Sequence, residues 1–159
     1  MLTKAERDAM IVKIERLPDQ VEEAVRGLAD SQLDTPYRDG GWTVRQVVHH
    51  LADSHLNAWT RMKLLLTEEN PTIKPYDQEK WADLPDGKSH PIQSSILILK
   101  GLHARMTALL RSRSEADWDR RGVHPESGPI TLQSLLVTYS KHGENHVGQI
   151  TELRKKMGW

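Results

Sequence analysis

The sequence predicts an all-α fold, a four-helix bundle with a long crossover between its second and third helices. Four long segments of the 159 residues repeat apolar side chains at helical spacing, and no segment shows a convincing strand pattern. The connection at residues 68–91 is long and rich in proline, which indicates a crossover and not a simple turn between antiparallel neighbours. Residues 1–159 are therefore expected to form a single bundle domain.

The first half of the chain predicts two long helices. The first covers residues 3–29, where Pro18 predicts a break or kink because proline lacks the amide hydrogen that a helix uses. A loop follows at "DTPYRDGGW", since this stretch contains Pro36 and a glycine pair. Thr43 has a side chain suited to cap the second helix, which is expected to run to about Thr67.

The second half of the chain predicts two further long helices. The third helix covers residues 92–112 and is followed by a helical turn at "SEADWDRR" and by the turn-rich "GVHPESGP". Thr131 opens the fourth helix, which runs to about Met157. The crossover between the second and third helices carries Tyr76 and Trp81, so we expect it to span the bundle, to shape a site, or to do both.

Charge and cysteine content exclude several classes of function. Lys+Arg and Asp+Glu are both 22, so the net charge is zero and no basic face is expected for nucleic acid or an anionic membrane. The apolar runs are short and the N-terminus has no apolar signal core, so we expect a soluble, cytoplasmic protein. The chain has no cysteine, which leaves nitrogen and oxygen as ligands for any metal.

Two of the eight histidines, His142 and His146, lie four residues apart on the fourth predicted helix. At ~100° per residue they project about 40° apart, and Gln149 falls within about 60° of both. The two imidazoles interrupt an apolar row that also contains Leu135, Tyr139 and Leu153. Such a pair can supply two metal ligands, or each ring can form a hydrogen bond within the core. The zincin pattern does not apply, because Gly143 stands where zincins have glutamate.

A third ligand is available on the second helix, where periodicity leaves two candidates open. The buried face of this helix is defined by Val44, Val47, Val48 and Leu51. His50 lies at the edge of that face, His55 lies near its centre, and His49 is expected to face solvent. Asp53 and Ser54 lie one turn from His50 and can orient it through a hydrogen bond, although Asp53 can equally be a solvated surface residue. Three neutral imidazoles suit Zn²⁺, Ni²⁺ or another late transition metal. The remaining histidines are expected to be structural or solvated, namely His90, His103 and His124.

Four segments of the chain carry a family resemblance. They are "SQLDTPYRDGGWTVRQVVHHLADSH", "KPYDQEKWADL", "HPESGPITL" and "HGENHVGQITELRKKMGW". In these segments the sequence resembles the DinB family of four-helix metalloproteins, and within it the YfiT branch of bacillithiol transferase-like, metal-dependent hydrolases. The resemblance implies up-down-down-up connectivity, a homodimer, and one divalent metal ion held by His50, His142 and His146. The chain departs from relatives with extra histidines and aromatics near the last-helix pair, since it has Lys141, Glu144 and Asn145 there.

The resemblance and the histidines together imply an enzyme. The leading hypothesis is a transferase in which a low-molecular-weight thiol such as bacillithiol binds the metal and attacks an electrophilic substrate. The alternatives are a hydrolase that cleaves an amide or ester with metal-activated water, and a non-enzymatic protein whose metal only ties two helices together. Asp53 and His55 are the candidate catalytic bases. Besides Gln149, the candidate pocket residues are Tyr37, Arg38, Trp42, Tyr76 and Trp81.

Overall fold

A computed structural model describes residues 2–159 and confirms the four-helix bundle. In chain order, its elements are α1 (Lys4–Val25), α2 (Asp30–Leu33), α3 (Val44–Thr67), α4 (Gln78–Ala82), α5 (Pro85–Ser89), α6 (Gln93–Arg111), a 3₁₀ helix (Glu115–Asp119), β1 (Arg121–His124), β2 (Gly128–Thr131) and α7 (Leu132–Met157). The long helices α1, α3, α6 and α7 form the bundle. No helix within residues 2–159 is both long and apolar enough to cross a membrane.

The four long helices pack in the cyclic order α1, α7, α3, α6. Helix α1 contacts α7 and α6, and α3 contacts the same two helices from the opposite corner. The predicted crossover between α3 and α6 contains α4 and α5, and both of these short helices pack against α3. The crossover is therefore ordered along one side of α3, which is the helix that carries His49, His50 and His55.

The apolar core is divided into two clusters along the bundle axis. One cluster is built around Leu17, Val21, Leu51, Leu99 and Ile150. The other is built around Ile14, Met62, Leu102, Met106 and Leu136. On every long helix, the residues of the second cluster are separated from those of the first by a short interval, and the buried histidines of α3 and α6 and the partly buried histidines of α7 fall in or beside that interval. A polar layer thus crosses an otherwise apolar bundle.

The predicted starts of the second and fourth long helices are confirmed. The Thr43 hydroxyl accepts a hydrogen bond from the Gln46 amide at the start of α3, and Thr131 accepts one from the Ser134 amide at the start of α7. These bonds satisfy amide groups that have no partner within the helix itself. Helix α7 ends at Met157 and is capped by Gly158, whose φ of 71° lies in the left-handed region that glycine adopts most readily.

The break expected at Pro18 is wrong, because α1 continues through it from Lys4 to Val25. Proline removes the amide that would bond to the carbonyl four residues earlier, which is the carbonyl of Ile14. In the structure, the Nδ1–H of His103 on α6 donates to the Ile14 oxygen at 2.5 Å. A side chain from a neighbouring helix therefore replaces the missing donor, and the helix needs no break.

A short β-hairpin was not expected from the sequence. Strands β1 and β2 pair antiparallel, with Arg121 opposite Thr131 and His124 opposite Gly128. The hairpin is anchored to the crossover, since the Val123 amide donates to the Pro71 carbonyl at 2.9 Å. Strands of four residues have too few alternating positions for a recognisable sequence pattern. The hairpin also depends on the distant crossover for part of its backbone hydrogen bonding.

Candidate metal centre

Three imidazole rings converge between α3 and α7. One ring nitrogen from each of His50, His142 and His146 lies within 4.8 Å of the other two. The Nε2 atoms of His50 and His142 face each other at 3.2 Å. Of the two histidines that periodicity left open on α3, the structure brings His50 into this group and leaves His55 outside it.

Gln149 fixes the orientation of one of the three rings, as its place on the same stripe suggested. The Nδ1–H of His146 donates to the Gln149 side-chain oxygen at 2.8 Å, one helical turn further along α7. With the proton on Nδ1, the lone pair of His146 lies on Nε2. A hydrogen bond of this kind on the far nitrogen is what usually orients a histidine ligand of a metal.

All three imidazoles are held in the neutral form that metal binding requires. Burial, with the nearby His146 and His142 acting in the same direction, lowers the pKa of His50 to about 3. Burial and His146 likewise lower the pKa of His142 to about 3. The pKa of His146 is also lowered by burial, although its bond to Gln149 acts in the opposite direction.

The donor set fits a late transition metal ion. It consists of three neutral nitrogens, and no carboxylate of residues 2–159 joins the group. Nitrogen donors without acidic oxygens match Zn²⁺ and Ni²⁺ better than Mg²⁺ or Ca²⁺, which take oxygen ligands. Three protein ligands also leave at least one coordination position for a small molecule, which is the pattern of catalytic zinc sites.

A second group of histidines lies behind the first. The His55 ring is stacked on the His103 ring at 4.8 Å and lies 5.6 Å from the His142 ring. His55 is 0% exposed, and burial holds its pKa well below its ordinary value. Among residues 2–159, neither nitrogen of His55 has a hydrogen-bond partner, and the same holds for Nδ1 of His142 and Nε2 of His103. A catalytic base must reach its substrate, whereas His55 is buried and shielded from any substrate.

The expectation that His49 faces solvent is wrong. Its Nε2–H donates to the His90 carbonyl at 2.9 Å, and its Nδ1 accepts from the Ser95 hydroxyl at 2.7 Å. The crossover and the start of α6 cover the side of α3 that helical periodicity assigns to water. His49 is thus a buried structural histidine that connects α3 to the end of the crossover.

The candidate pocket residues divide between two cavities. One cavity of about 240 Å³ touches His146 and is lined by Tyr37, Arg38 and Trp42, whose indole lies 4.5 Å from the His50 ring. The other, of about 610 Å³, touches His142 and includes Tyr76 in its lining. Trp81 lines neither cavity; its side chain packs on Tyr76 at 4.7 Å and is 41% exposed. A larger groove between α1 and the end of α7 contains none of the three histidines.

Asp53 is half-buried on α3, one turn from His50. Burial, assisted by the charge of Asp86, raises the pKa of its carboxyl to about 6. Within residues 2–159, its carboxylate makes no hydrogen bond to a histidine. The structure therefore gives Asp53 the basicity expected of a proton acceptor, but within residues 2–159 Asp53 neither joins the three convergent rings nor forms a hydrogen bond with them.

Sequence reasoning missed Arg61, which lines the 610 Å³ cavity together with Ser54 and His142, and it considered Ser54 only as a group that could orient His50. A usable signal was present, because Ser54 and Arg61 follow His50 by four and eleven residues, and eleven residues bring a helical side chain back to within about 20° of its starting direction. Tyr139 was placed on the correct stripe of α7, but its contact with Arg61 was not foreseen. Its hydroxyl accepts a hydrogen bond from Arg61 at 3.1 Å.

The fold and the histidine cluster define a four-helix protein with a potential metal site between two helices, and the comparisons with known proteins agree. The DinB superfamily model matches residues 13–150, so this chain belongs to the DinB superfamily.

Among individual proteins, the chain is 48% identical to the Bacillus subtilis (strain 168) protein named "Putative metal-dependent hydrolase YfiT", over 99% of this chain and 89% of the relative. A Bacillus cereus (strain 03BB102) protein named "Putative metal-dependent hydrolase" is 49% identical over 99% of this chain and 91% of its own length.

Two solved structures extend the comparison. The structure of YfiT from Bacillus subtilis, described as "a probable metal-dependent hydrolase with an unusual four-helix bundle topology", superposes with a TM-score of 0.98 at 48% identity, covering 100% of this chain and 91% of that one. The mycothiol-dependent maleylpyruvate isomerase superposes with a TM-score of 0.72 at 15% identity, covering 94% of this chain and 63% of that one. The second likeness concerns the fold alone.

Proposed function

We propose that His50, His142 and His146 bind one divalent transition-metal ion per chain, Zn²⁺ or Ni²⁺, and that the protein is a metal-dependent thiol transferase. Its substrates are a low-molecular-weight thiol of the bacillithiol type and an electrophile. The observation that carries the proposal is the convergence of three neutral imidazoles, without a fourth protein ligand, beside two cavities that reach the surface. The names of the relatives also support dependence on a metal ion.

The chemistry of the chain favours a nucleophile that comes from outside. A bound ion of this type stabilises the thiolate of a small thiol near neutral pH. The protein has no cysteine of its own, so the reacting sulfur belongs to the substrate. In the transfer, the sulfur forms a bond to the electrophilic carbon, the leaving group departs with the electrons of the broken bond, and the thiol proton is released to solvent. The 610 Å³ cavity beside His142 gives the two reactants room to meet.

Hydrolysis is the second candidate, because the relatives are named as hydrolases. Attack by water on an amide or ester is assisted by a general base within hydrogen-bond reach. No carboxylate of residues 2–159 joins the three histidines, and His55 is fully buried behind them. Thiol transfer makes no such demand, since a thiol near the ion loses its proton readily. The residues around the site therefore support transfer better than hydrolysis.

One assay separates these functions. Zn²⁺- and Ni²⁺-loaded protein is incubated with an aryl halide, with and without added thiol, and with an aryl ester in the absence of thiol. Thiol-dependent loss of the halide, absent in His142→Ala, supports the transferase. Thiol-independent ester cleavage that is lost in the same variant supports the hydrolase instead. No turnover of either substrate, with unfolding when the ion is removed, indicates a structural metal. The homodimer implied by the family stays a prediction, which light scattering tests.

A further inference from the structure

The 610 Å³ cavity contains a guanidinium group without an acidic partner. Arg61 lines this cavity on α3, and His142 lines it on α7. Among residues 2–159, the ion pairs formed at 4.0 Å or less do not include Arg61. A partly buried arginine is normally paired with a carboxylate, because removing its charge from water is costly. The structure therefore leaves a positive charge to be balanced at the wall of the proposed active site.

Neutral groups hold this side chain in place. One terminal nitrogen of Arg61 donates to the Tyr139 hydroxyl at 3.1 Å, and the guanidinium lies 5.9 Å from the centre of the Tyr76 ring. The Nε of Arg61 is buried and has no hydrogen-bond partner in the described part of the chain. The Tyr139 ring in turn lies 5.9 Å from the ring of His142, so Tyr139 connects the guanidinium to the metal centre. Arg61 is positioned near the histidines while part of its hydrogen-bonding capacity is unused.

The acidic residues of the same cavity do not neutralise Arg61. Asp77 forms an ion pair with Lys80 at 2.9 Å and also accepts from the Lys80 amide, so its charge is already balanced at the start of α4. Glu126 lies in the turn of the β-hairpin, is exposed, and forms no ion pair with Arg61. The anion that completes the site therefore comes from outside the described chain.

We propose that Arg61 binds a carboxylate of the substrate in the cavity beside His142. The planar guanidinium can hold the two oxygens of a carboxylate with parallel hydrogen bonds, which gives orientation as well as affinity. The assignment rests on the proposed function, because it places the substrate between Arg61 and the three histidines. It deepens that function by naming the substrate class: at least one of the two reactants is a carboxylic acid.

Two pairs of probes test the assignment and identify which reactant carries the acid. The first pair is N-acetylcysteine and its amide, with binding to Co²⁺-loaded protein measured from the cobalt–sulfur absorption band. The second pair is glutarate and glutaramide, with binding measured by calorimetry. We expect the acid to bind more tightly than its amide by about tenfold or more, the usual contribution of a hydrogen bond to a charged group. A preference in the first pair assigns the carboxylate to the thiol, and a preference in the second pair alone assigns it to the electrophile.

Three variants show whether the preference depends on Arg61. Arg61→Gln is expected to reduce the ratio of acid to amide affinity to about one, and Arg61→Lys is expected to retain part of it. Arg105→Gln is the matched control, since Arg105 also lies near an aromatic ring, that of Trp59, but lines neither cavity that touches a ligand histidine. It should keep the native ratio, and circular dichroism checks that each variant is folded.

Two results would overturn the assignment. One is a ratio near one for both probe pairs in the native protein, and the other is a ratio that Arg61→Gln leaves unchanged. Failure of the proposed function appears differently: neither thiol produces a cobalt–sulfur band, while the glutarate pair still decides whether Arg61 binds a carboxylate.

Discussion

The bond between His103 and the Ile14 carbonyl makes a specific prediction about stability. Pro18 removes the amide that would otherwise reach this carbonyl, and the His103 imidazole replaces it at 2.5 Å. His103→Leu removes the replacement and leaves a buried carbonyl without a partner, which costs about 1–3 kcal/mol. Pro18→Ala restores the backbone amide, so the carbonyl no longer depends on His103.

The effect is measured with four proteins: the native chain, Pro18→Ala, His103→Leu and the double variant. Urea unfolding of metal-free protein at about pH 8 keeps the histidines neutral in both states. We expect His103→Leu to cost about 1 kcal/mol less in the Pro18→Ala background than in the native one. Packing lost with the imidazole or the proline ring is present in both backgrounds and cancels.

Additive free energies, within the usual error of about 0.3–0.5 kcal/mol, would refute the reasoning. They would mean that His103 stabilises the bundle by packing alone and that the continuity of α1 through Pro18 has another cause. An effect of the opposite sign, with His103→Leu more costly in the Pro18→Ala background, would contradict it as well.

Three further predictions concern the site and its surroundings. Gln149→Leu should weaken metal affinity about 10- to 100-fold in a competition with a chromophoric chelator, while Gln149→Glu should retain the native affinity. A Gln149→Leu variant that binds the metal as tightly as the native protein would exclude the orienting role. Gly143→Ala should lower the free energy of unfolding by about 1 kcal/mol, because an added Cβ would lie 2.5 Å from Cδ2 of the buried Leu17. Gly101→Ala should raise the free energy of unfolding, because an added Cβ there has nothing within 4 Å. A change of the same sign in both variants would contradict this reasoning. Burial lowers the pKa of His103 below the ordinary histidine value of about 6.5, so on acidification the unfolded state binds the proton first. Stability should therefore fall as the pH drops below about 6.5, and urea midpoints should show a shallower fall in His103→Leu.

The long helices could be predicted because their signals are local. Apolar spacing sets their buried faces, and Thr43 and Thr131 cap α3 and α7 through bonds to residues three positions away. The pair His142 and His146 is equally local, since four residues on one helix place two rings side by side.

The errors arose where a distant group decides the outcome. Whether Pro18 breaks α1 depends on His103, which is 85 positions away in the chain and on a different helix. The burial of His49 depends on the His90 carbonyl and Ser95, which belong to the crossover and the start of α6. Periodicity within one helix describes the direction of a side chain, but it does not reveal which other segment covers it.

The choice between His50 and His55 shows the same limit. Both belong to the buried side of α3, and periodicity even places His55 nearer its centre. The structure separates them by their neighbours: His50 meets the two histidines of α7, whereas His55 is stacked on His103 of α6. Arg61 lies on the same stripe as His50, but an arginine is so commonly solvated that spacing alone did not single it out.

The metal content of the purified protein tests the central claim most directly. The native chain and His146→Ala are prepared without a histidine tag, and bound metals are measured by mass spectrometry. We predict about one equivalent of Zn or Ni per native chain and its loss in His146→Ala, with the helical circular dichroism unchanged. A native protein that contains no such metal, and takes up none from added Zn²⁺ or Ni²⁺, would contradict the proposed metal centre and leave the three histidines as neutral packing residues of the polar layer.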